Sequence, residues 1–128
     1  MRRIATAGVL AALALAVPAA AHAEGIIFFS NPGKTVICRY SSFSGYQELK
    51  CEDKVVAGDD GYRLVIRLQK TGKGAELLFD ANPIEKEGSV VRKFAKAPFT
   101  CTLAKTQVRC TNPQKHGFVM TTKAGSVF

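Results

Sequence analysis

Residues 98–118 read PFTCTLAKTQVRCTNPQKHGF and predict a β-hairpin closed by a disulfide, followed by a His-Gly-Phe turn. If Cys101 lies opposite Cys110, then Leu103 faces Val108, and a short connection of a common hairpin length joins the two strands. Side chains alternate along a strand, so this register separates an apolar face from a polar face rich in threonine. Opposed residues of an antiparallel pair lie about 4.5 to 5.5 Å apart, within the span of a disulfide.

The other two cysteines fit the same arrangement. Cys38 and Cys51 lie opposite each other if Ser44-Gly45 forms the tip of a second hairpin. Four cysteines allow three connectivities, and the two hairpin registers favour Cys38 with Cys51 and Cys101 with Cys110. Disulfides persist in oxidising compartments, and they help a small domain whose core alone is marginal.

The N-terminal residues 1–23 have the pattern of a secretory signal peptide, with two arginines, an apolar run and small residues before an expected cleavage site at Glu24. The apolar run, residues 4–17, is shorter than the roughly 18 residues that a membrane span needs. The alternative is an uncleaved anchor. We therefore expect an exported protein, periplasmic or secreted, with a single β-rich domain over residues 24–128.

The chain is basic, with 18 lysines and arginines against 10 acidic residues. Loss of Arg2 and Arg3 with the leader leaves 16 basic residues and a formal charge of +6. Such a charge attracts anionic partners, for which an envelope component, a glycan or an acidic protein are the candidates. The alternative is that the charge only keeps the domain soluble. The candidate anion-binding residues lie on strands that we expect to neighbour each other: Arg63, Arg67, Arg92 and Lys93.

Alternating apolar and polar residues predict strands through most of the chain. The fold class expected is all-β, a small disulfide-stapled antiparallel sandwich or barrel-like domain with at most one short helical turn. That turn is expected at residues 82–85, where Asn82 and Pro83 start a capping pattern. The first strand, residues 25–29, is expected to be buried on both faces. Residues 61–69 and 75–79 are expected to form a hairpin, and residues 89–94 a single strand before the stapled hairpin. Two further strands are expected at the end of the chain.

Two aromatic residues, Phe43 and Tyr46, flank the Ser44-Gly45 tip on the face opposite the cystine. We expect them to pack as a pair within the domain. The alternative is an exposed aromatic contact surface.

Two stretches resemble a family of small secreted bacterial proteins that is classed only as a domain of unknown function. The first is FFSNPGKTVIC, residues 28–38, and the second is FTCTLAKTQVRCTNPQKHGF, residues 99–118. The second carries the pattern Phe-x-Cys, Val-x-Cys-x-Asn and His-Gly-Phe. The resemblance implies a secreted, β-rich, disulfide-bonded domain, and it implies no activity.

Little in the sequence points to catalysis. Paired cysteines leave no thiolate, the cysteine spacing does not suit zinc, and no Gly-x-Ser-x-Gly elbow marks a nucleophilic serine. We therefore expect no metal and no cofactor. The favoured function is a non-catalytic binding or interaction module with a preference for anionic ligands. The alternative is a periplasmic or secreted inhibitor of an enzyme, and the third choice is a hydrolase.

The residue pattern most suggestive of a site is the corner after the stapled hairpin. Asn112 can bond nearby backbone, His116 is the only histidine after residue 23, Gly117 can adopt conformations closed to other residues, and Phe118 offers a large group to the core. An imidazole in such a corner usually fixes backbone groups, since it donates and accepts at once. We expect His116 to be structural, with ligand binding or catalysis as the alternative.

Overall fold

The computed structural model describes residues 25–53, 64–77, 84, 86–121 and 124–128. These residues contain strands and turns and no helix. The strands are β1 (Gly25–Ser30), β2 (Val36–Phe43), β3 (Tyr46–Asp53), β4 (Val65–Gln69), β5 (Ala75–Leu77), β6 (Ser89–Val90), β7 (Lys93–Lys96), β8 (Phe99–Ala104), β9 (Gln107–Thr111), β10 (Gly117–Thr121) and β11 (Gly125–Val127).

The strands form two sheets. The first sheet has the order β5-β4-β3-β2-β1-β6, and the second has the order β11-β10-β9-β8-β7. All pairings are antiparallel except the two-residue pairing of β1 with β6. The inner faces of both sheets supply one hydrophobic core, in which Phe29 stacks on Phe94 with ring centroids 4.1 Å apart. The domain is thus an all-β sandwich, as the sequence predicts.

Each sheet contains one disulfide. Cys38 is bonded to Cys51 across β2 and β3, and Cys101 to Cys110 across β8 and β9, with Cα atoms 4.1 Å apart in both pairs. All four cysteines are buried in the core. The predicted pairing is confirmed.

The hairpin in residues 98–118 has the predicted register. Cys101 lies opposite Cys110 and Leu103 opposite Val108, with a two-residue turn at Lys105. Burial alternates along β8, because odd positions face the core and even positions face solvent. The hairpin of β4 with β5 and the last two strands, β10 and β11, are also present.

The run at 89–94 is not one strand, as we expected from its alternation. It breaks between β6, in the first sheet, and β7, in the second. The Val91 amide donates to the Ser30 carbonyl of the first sheet at 3.0 Å, whereas the Arg92 carbonyl accepts from the Leu103 amide of the second at 2.9 Å. The chain crosses between sheets here because adjacent residues satisfy their backbone groups on opposite sheets.

The first strand is not buried on both faces, as its apolar run suggested. Ile26 is 48% exposed and Ile27 38% exposed, and only Phe29 and Ser30 are fully buried. Ile26 and Ile27 lie in the part of β1 with which β6 does not pair, since β6 pairs with Phe29 and Ser30 alone. The expected leader, the capping pattern at Asn82 and Pro83, and Arg63 lie outside the described residues.

Candidate functional site

Asn112, the first residue of the predicted corner, is buried and uses its whole side-chain amide. Its Nδ2 donates to the main-chain oxygens of Gln69 at 3.0 Å and Gly72 at 2.9 Å. Its Oδ1 accepts from the amides of Gln114 at 3.0 Å and His116 at 3.2 Å. Asn112 therefore shapes its own turn and at the same time binds the β4–β5 connection of the other sheet.

The unusual backbone conformation in this corner falls on Lys115 and not on Gly117, which could have adopted it. Lys115 has φ of 64°, and its amide donates to the Asn112 carbonyl at 3.0 Å to close the turn. Gly117 is needed for space instead. A Cβ there would fall on the carbonyl oxygen of Cys110 in the neighbouring strand. Phe118 is buried in the core, as expected.

His116 is half-buried and lies against the C-terminal residue. Its Nδ1 is 3.3 Å from the main-chain oxygen of Phe128, and its own carbonyl accepts from the Asn112 amide at 2.8 Å. Gly117 and Phe128 exchange two backbone hydrogen bonds of 3.0 Å beside it. These contacts favour the structural interpretation of His116, since the ring holds the last residue onto β10.

We expect His116→Ala to lower the free energy of unfolding by about 1 kcal/mol, the usual worth of one side-chain hydrogen bond. Thermal unfolding followed by circular dichroism would measure this loss. Thr106→Ala, in an exposed turn, is the control and should unfold as the wild type does. An unchanged melting temperature for His116→Ala, together with lost binding to a ligand, would contradict the structural role.

A second corner of the same kind surrounds Asn31, which the sequence analysis missed. Asn31 is fully buried, and its Oδ1 accepts from the amides of Thr35 at 2.9 Å and Val36 at 3.0 Å. The Lys34 amide donates to the Asn31 carbonyl at 2.9 Å, and Lys34 has φ of 53°. The sequence does indicate this second corner, because Ser-Asn-Pro-Gly-Lys at 30–34 is similar to Thr-Asn-Pro-Gln-Lys at 111–115.

The two corners clamp the two sheets to each other in a reciprocal way. Asn31, in the first sheet, donates from Nδ2 to the carbonyls of Ala104 at 3.1 Å and Lys105 at 3.0 Å, at the β8–β9 turn of the second sheet. Asn112, in the second sheet, holds the β4–β5 connection of the first. Buried amides with all their hydrogen bonds satisfied favour one relative placement of the sheets.

Among the described residues, the predicted anion-binding Arg67 and Lys93 do not lie on neighbouring strands. Arg67 is on β4 in the first sheet, whereas Lys93 begins β7 in the second and Arg92 precedes it at the crossing. Arg67 instead lies in a row of three basic residues across the first sheet. Arg67 is opposite Lys50, and Lys50 is opposite Arg39. Burial and then the Arg39 guanidinium lower the pKa of Lys50 below its usual value.

The charges of the chain are segregated between its two halves. All ten acidic residues precede Gly88, and nine basic residues lie between residues 24 and 87. Residues 88–128, which contain the whole second sheet, have no acidic residue and seven basic ones: Arg92, Lys93, Lys96, Lys105, Arg109, Lys115 and Lys123. This segregation of charge is visible in the sequence, although the net charge of the whole chain does not reveal it.

The outer face of the second sheet displays part of this charge among small polar residues. Lys93 lies opposite Thr102, Thr102 opposite Arg109, and Arg109 opposite Val119. The Arg109 guanidinium also lies 4.7 Å from the centroid of the Phe128 ring, a cation–π contact that orients it. A shallow depression of about 140 Å³ adjoins this row, lined by Val119, Thr121, Ala124, Gly125 and Ser126.

The described residues contain no group of three or more histidine, cysteine or carboxylate side chains placed to hold a metal ion. Over the same part of the chain, no helix is long and apolar enough to cross a membrane. The fold and the site thus define a class of small all-β sandwich with one disulfide in each sheet and one strongly basic sheet. Comparison with known protein families, curated proteins and solved structures found no match.

Proposed function

We propose that this protein is an exported, non-catalytic binding module that holds an anionic polymer on the outer face of its second sheet. The observation that carries the proposal is the absence of acidic residues after Glu87. A surface of one sign of charge attracts a polyanion, because no acidic side chain of the second sheet competes for the basic side chains. A linear chain of sulfate, phosphate or carboxylate groups suits a flat sheet face.

The geometry of the face supports this assignment. Lys93 and Arg109 are both exposed and lie in one row across β7, β8 and β9, with Thr102 between them. Neighbouring strands are about 4.8 Å apart, so the two basic residues lie about 10 Å from each other at the backbone. The threonine hydroxyl between them can donate to an oxyanion or accept from a sugar hydroxyl.

Export is the second part of the proposal. Two buried disulfides are compatible with an oxidising compartment, where such bonds persist. The leader expected at residues 1–23 and the resemblance to secreted bacterial proteins favour the periplasm or the extracellular space. An acidic glycan or another anionic envelope component is then the polymer available to bind.

Retention on immobilised heparin at increasing NaCl tests the binding. We expect Lys93→Glu/Arg109→Glu to weaken binding at least tenfold and to flatten its dependence on salt, since fewer counterions are released. Lys93→Glu and Lys86→Glu form a matched pair, because both change one exposed lysine and only Lys93 lies in the second sheet. Equal losses for the two single variants would show that net charge alone acts, and the proposal would fail.

A further inference from the structure

Three loops meet at one end of the sandwich, which we call the three-loop end: residues 43–46, 70–74 and 112–116. Gln69, just before the second loop, donates from Nε2 to the Tyr46 hydroxyl at 3.0 Å. The Gly72 amide donates to Gln114 Oε1 at 2.8 Å, and Asn112 binds the Gly72 carbonyl. The loops come from both sheets, and these bonds fix them as one surface.

The first loop presents two aromatic rings to solvent. Phe43 is 47% exposed and Tyr46 48% exposed, so the expectation of a packed pair was wrong and the alternative of an exposed surface holds. They lie opposite each other across a two-residue turn in which Ser44 and Gly45 have φ of 48° and 80°. Positive φ at both central residues is the geometry of a tight hairpin turn, so the rings sit on a rigid protruding tip.

The aromatic tip continues into an aliphatic side chain on the same face. Ile26, which is half exposed, lies opposite Ser41 on β2, and Ser41 and Phe43 are two residues apart and share a face. Three of the six large apolar residues that are exposed in the described part of the chain therefore share this face: Ile26, Phe43 and Tyr46.

The other two loops add positive charge around the rings. Lys70 and Lys73 are exposed in the second loop and Lys115 in the third, and none of the three loops contains an acidic residue. The carboxylates closest along the chain are Glu48 and Glu76, each two residues beyond a loop, and Glu48 accepts from the Tyr46 hydroxyl at 2.6 Å. That hydrogen bond raises the pKa of Tyr46 above its usual value, so the hydroxyl keeps its proton.

We infer that the three-loop end docks on an anionic phospholipid surface, with Phe43 and Tyr46 entering the interface and Lys70, Lys73 and Lys115 contacting headgroup phosphates. Aromatic rings favour the boundary between headgroups and acyl chains, and basic residues beside them are attracted to anionic lipid. The surface shares no residue with the row of Lys93 and Arg109 on the second sheet, so the inference does not rest on the proposed polymer binding.

A bound sugar is the competing occupant, and the structure favours lipid. A sugar ring on an aromatic platform needs free amide or carboxylate groups beside the ring to bond its hydroxyls. At this end Glu48 and Gln69 both bond to the Tyr46 hydroxyl, and Gln114 bonds to Gly72. These bonds hold the amide and carboxylate groups against neighbouring protein groups, whereas the two aromatic rings and the three lysines are exposed, and that combination matches an acyl boundary under phosphates.

Vesicle binding tests the inference with two sets of variants. Sedimentation with phosphatidylcholine vesicles, with and without one third phosphatidylglycerol, should show binding to the anionic vesicles alone. Phe43→Ser/Tyr46→Ser should lower the partition coefficient at least tenfold, and each lysine-to-glutamine change in the three loops about fivefold. Val90→Ser is the matched control, because Val90 is 47% exposed on β6 at the edge of the first sheet. Binding of Phe43→Ser/Tyr46→Ser that equals the wild type would overturn the inference.

A fluorescent reporter separates lipid from glycan. The chain has no tryptophan, so Phe43→Trp supplies a single emission signal. We expect a blue shift of this emission with anionic vesicles and none for Val90→Trp. A shift with heparin and none with vesicles would identify a glycan site and refute the lipid assignment. Lys93→Gln, which removes one charge of the row on the second sheet, should leave vesicle binding within twofold of wild type, so the two proposals can fail separately.

Discussion

Gly117→Ala is expected to lower the free energy of unfolding by about 4 kcal/mol or more, a large part of the stability of a domain of this size. The added methyl group would fall on the carbonyl oxygen of Cys110, a backbone atom of the paired strand. Cys110 cannot retreat easily, because its disulfide to Cys101 ties β9 to β8. Relief therefore requires β9 and β10 to separate beside the buried ring of Phe118.

Urea unfolding of the oxidised protein measures this effect, with Gly25→Ala as the matched control. A Cβ at Gly25 meets no atom within 4 Å, so the same chemical change should alter stability by less than about 0.5 kcal/mol. A Gly117→Ala variant within about 1 kcal/mol of wild type would show that the strands adjust without cost. The requirement for glycine at this corner would then have another origin.

Asn31→Ala and Asn112→Ala are each expected to cost about 3 kcal/mol. Each substitution leaves two carbonyls of the opposite sheet and two amides of its own turn without their side-chain partner, and buried groups that lose a partner cost about 1 to 3 kcal/mol. The two residues clamp different hairpins of different sheets. Because they share no partner, the double variant should lose the sum of the two effects.

Asn112→Asp separates the cross-sheet clamp from the cap of the turn. Aspartate keeps an oxygen for the amides of Gln114 and His116 but turns an oxygen toward the carbonyls of Gln69 and Gly72. We expect it to be no more stable than Asn112→Ala in urea unfolding. Gln114→Ala, which removes one exposed hydrogen bond, should cost less than about 1 kcal/mol. Wild-type stability in Asn112→Asp would place the whole stabilisation in the turn.

The reciprocal clamps bear on both proposed surfaces. Asn112 holds the second and third loops of the three-loop end together, so its loss should loosen the lysines there before it affects Lys93. The basic row of the second sheet is held by strand pairing and by the contact of Arg109 with the Phe128 ring. Hydrogen exchange in Asn112→Ala should therefore rise first at residues 70–74, while amides of β8 and β9 keep their protection.

The sequence by itself determined the local hairpins. The cysteine pairs are 13 and 9 residues apart, and alternation of apolar and polar residues around each pair specifies one register. A shift by one residue would turn every core side chain to solvent, so a strand and its hairpin partner can be predicted together. The two disulfides, the all-β class and the hairpin of β4 with β5 follow from that rule.

Only the tertiary structure decided which distant strands meet. Asn31 bonds to carbonyls 73 and 74 residues away, and no local pattern names those partners. The separation of Arg67 from Lys93, the crossing at Val91 and the exposure of Phe43 depend on strand order and on what covers each face. Alternation of apolar and polar residues predicts that a strand has one face toward the core and one toward solvent. The packing of the two sheets decides which strands are neighbours and what covers each face, and this packing depends on contacts between residues that are distant along the chain.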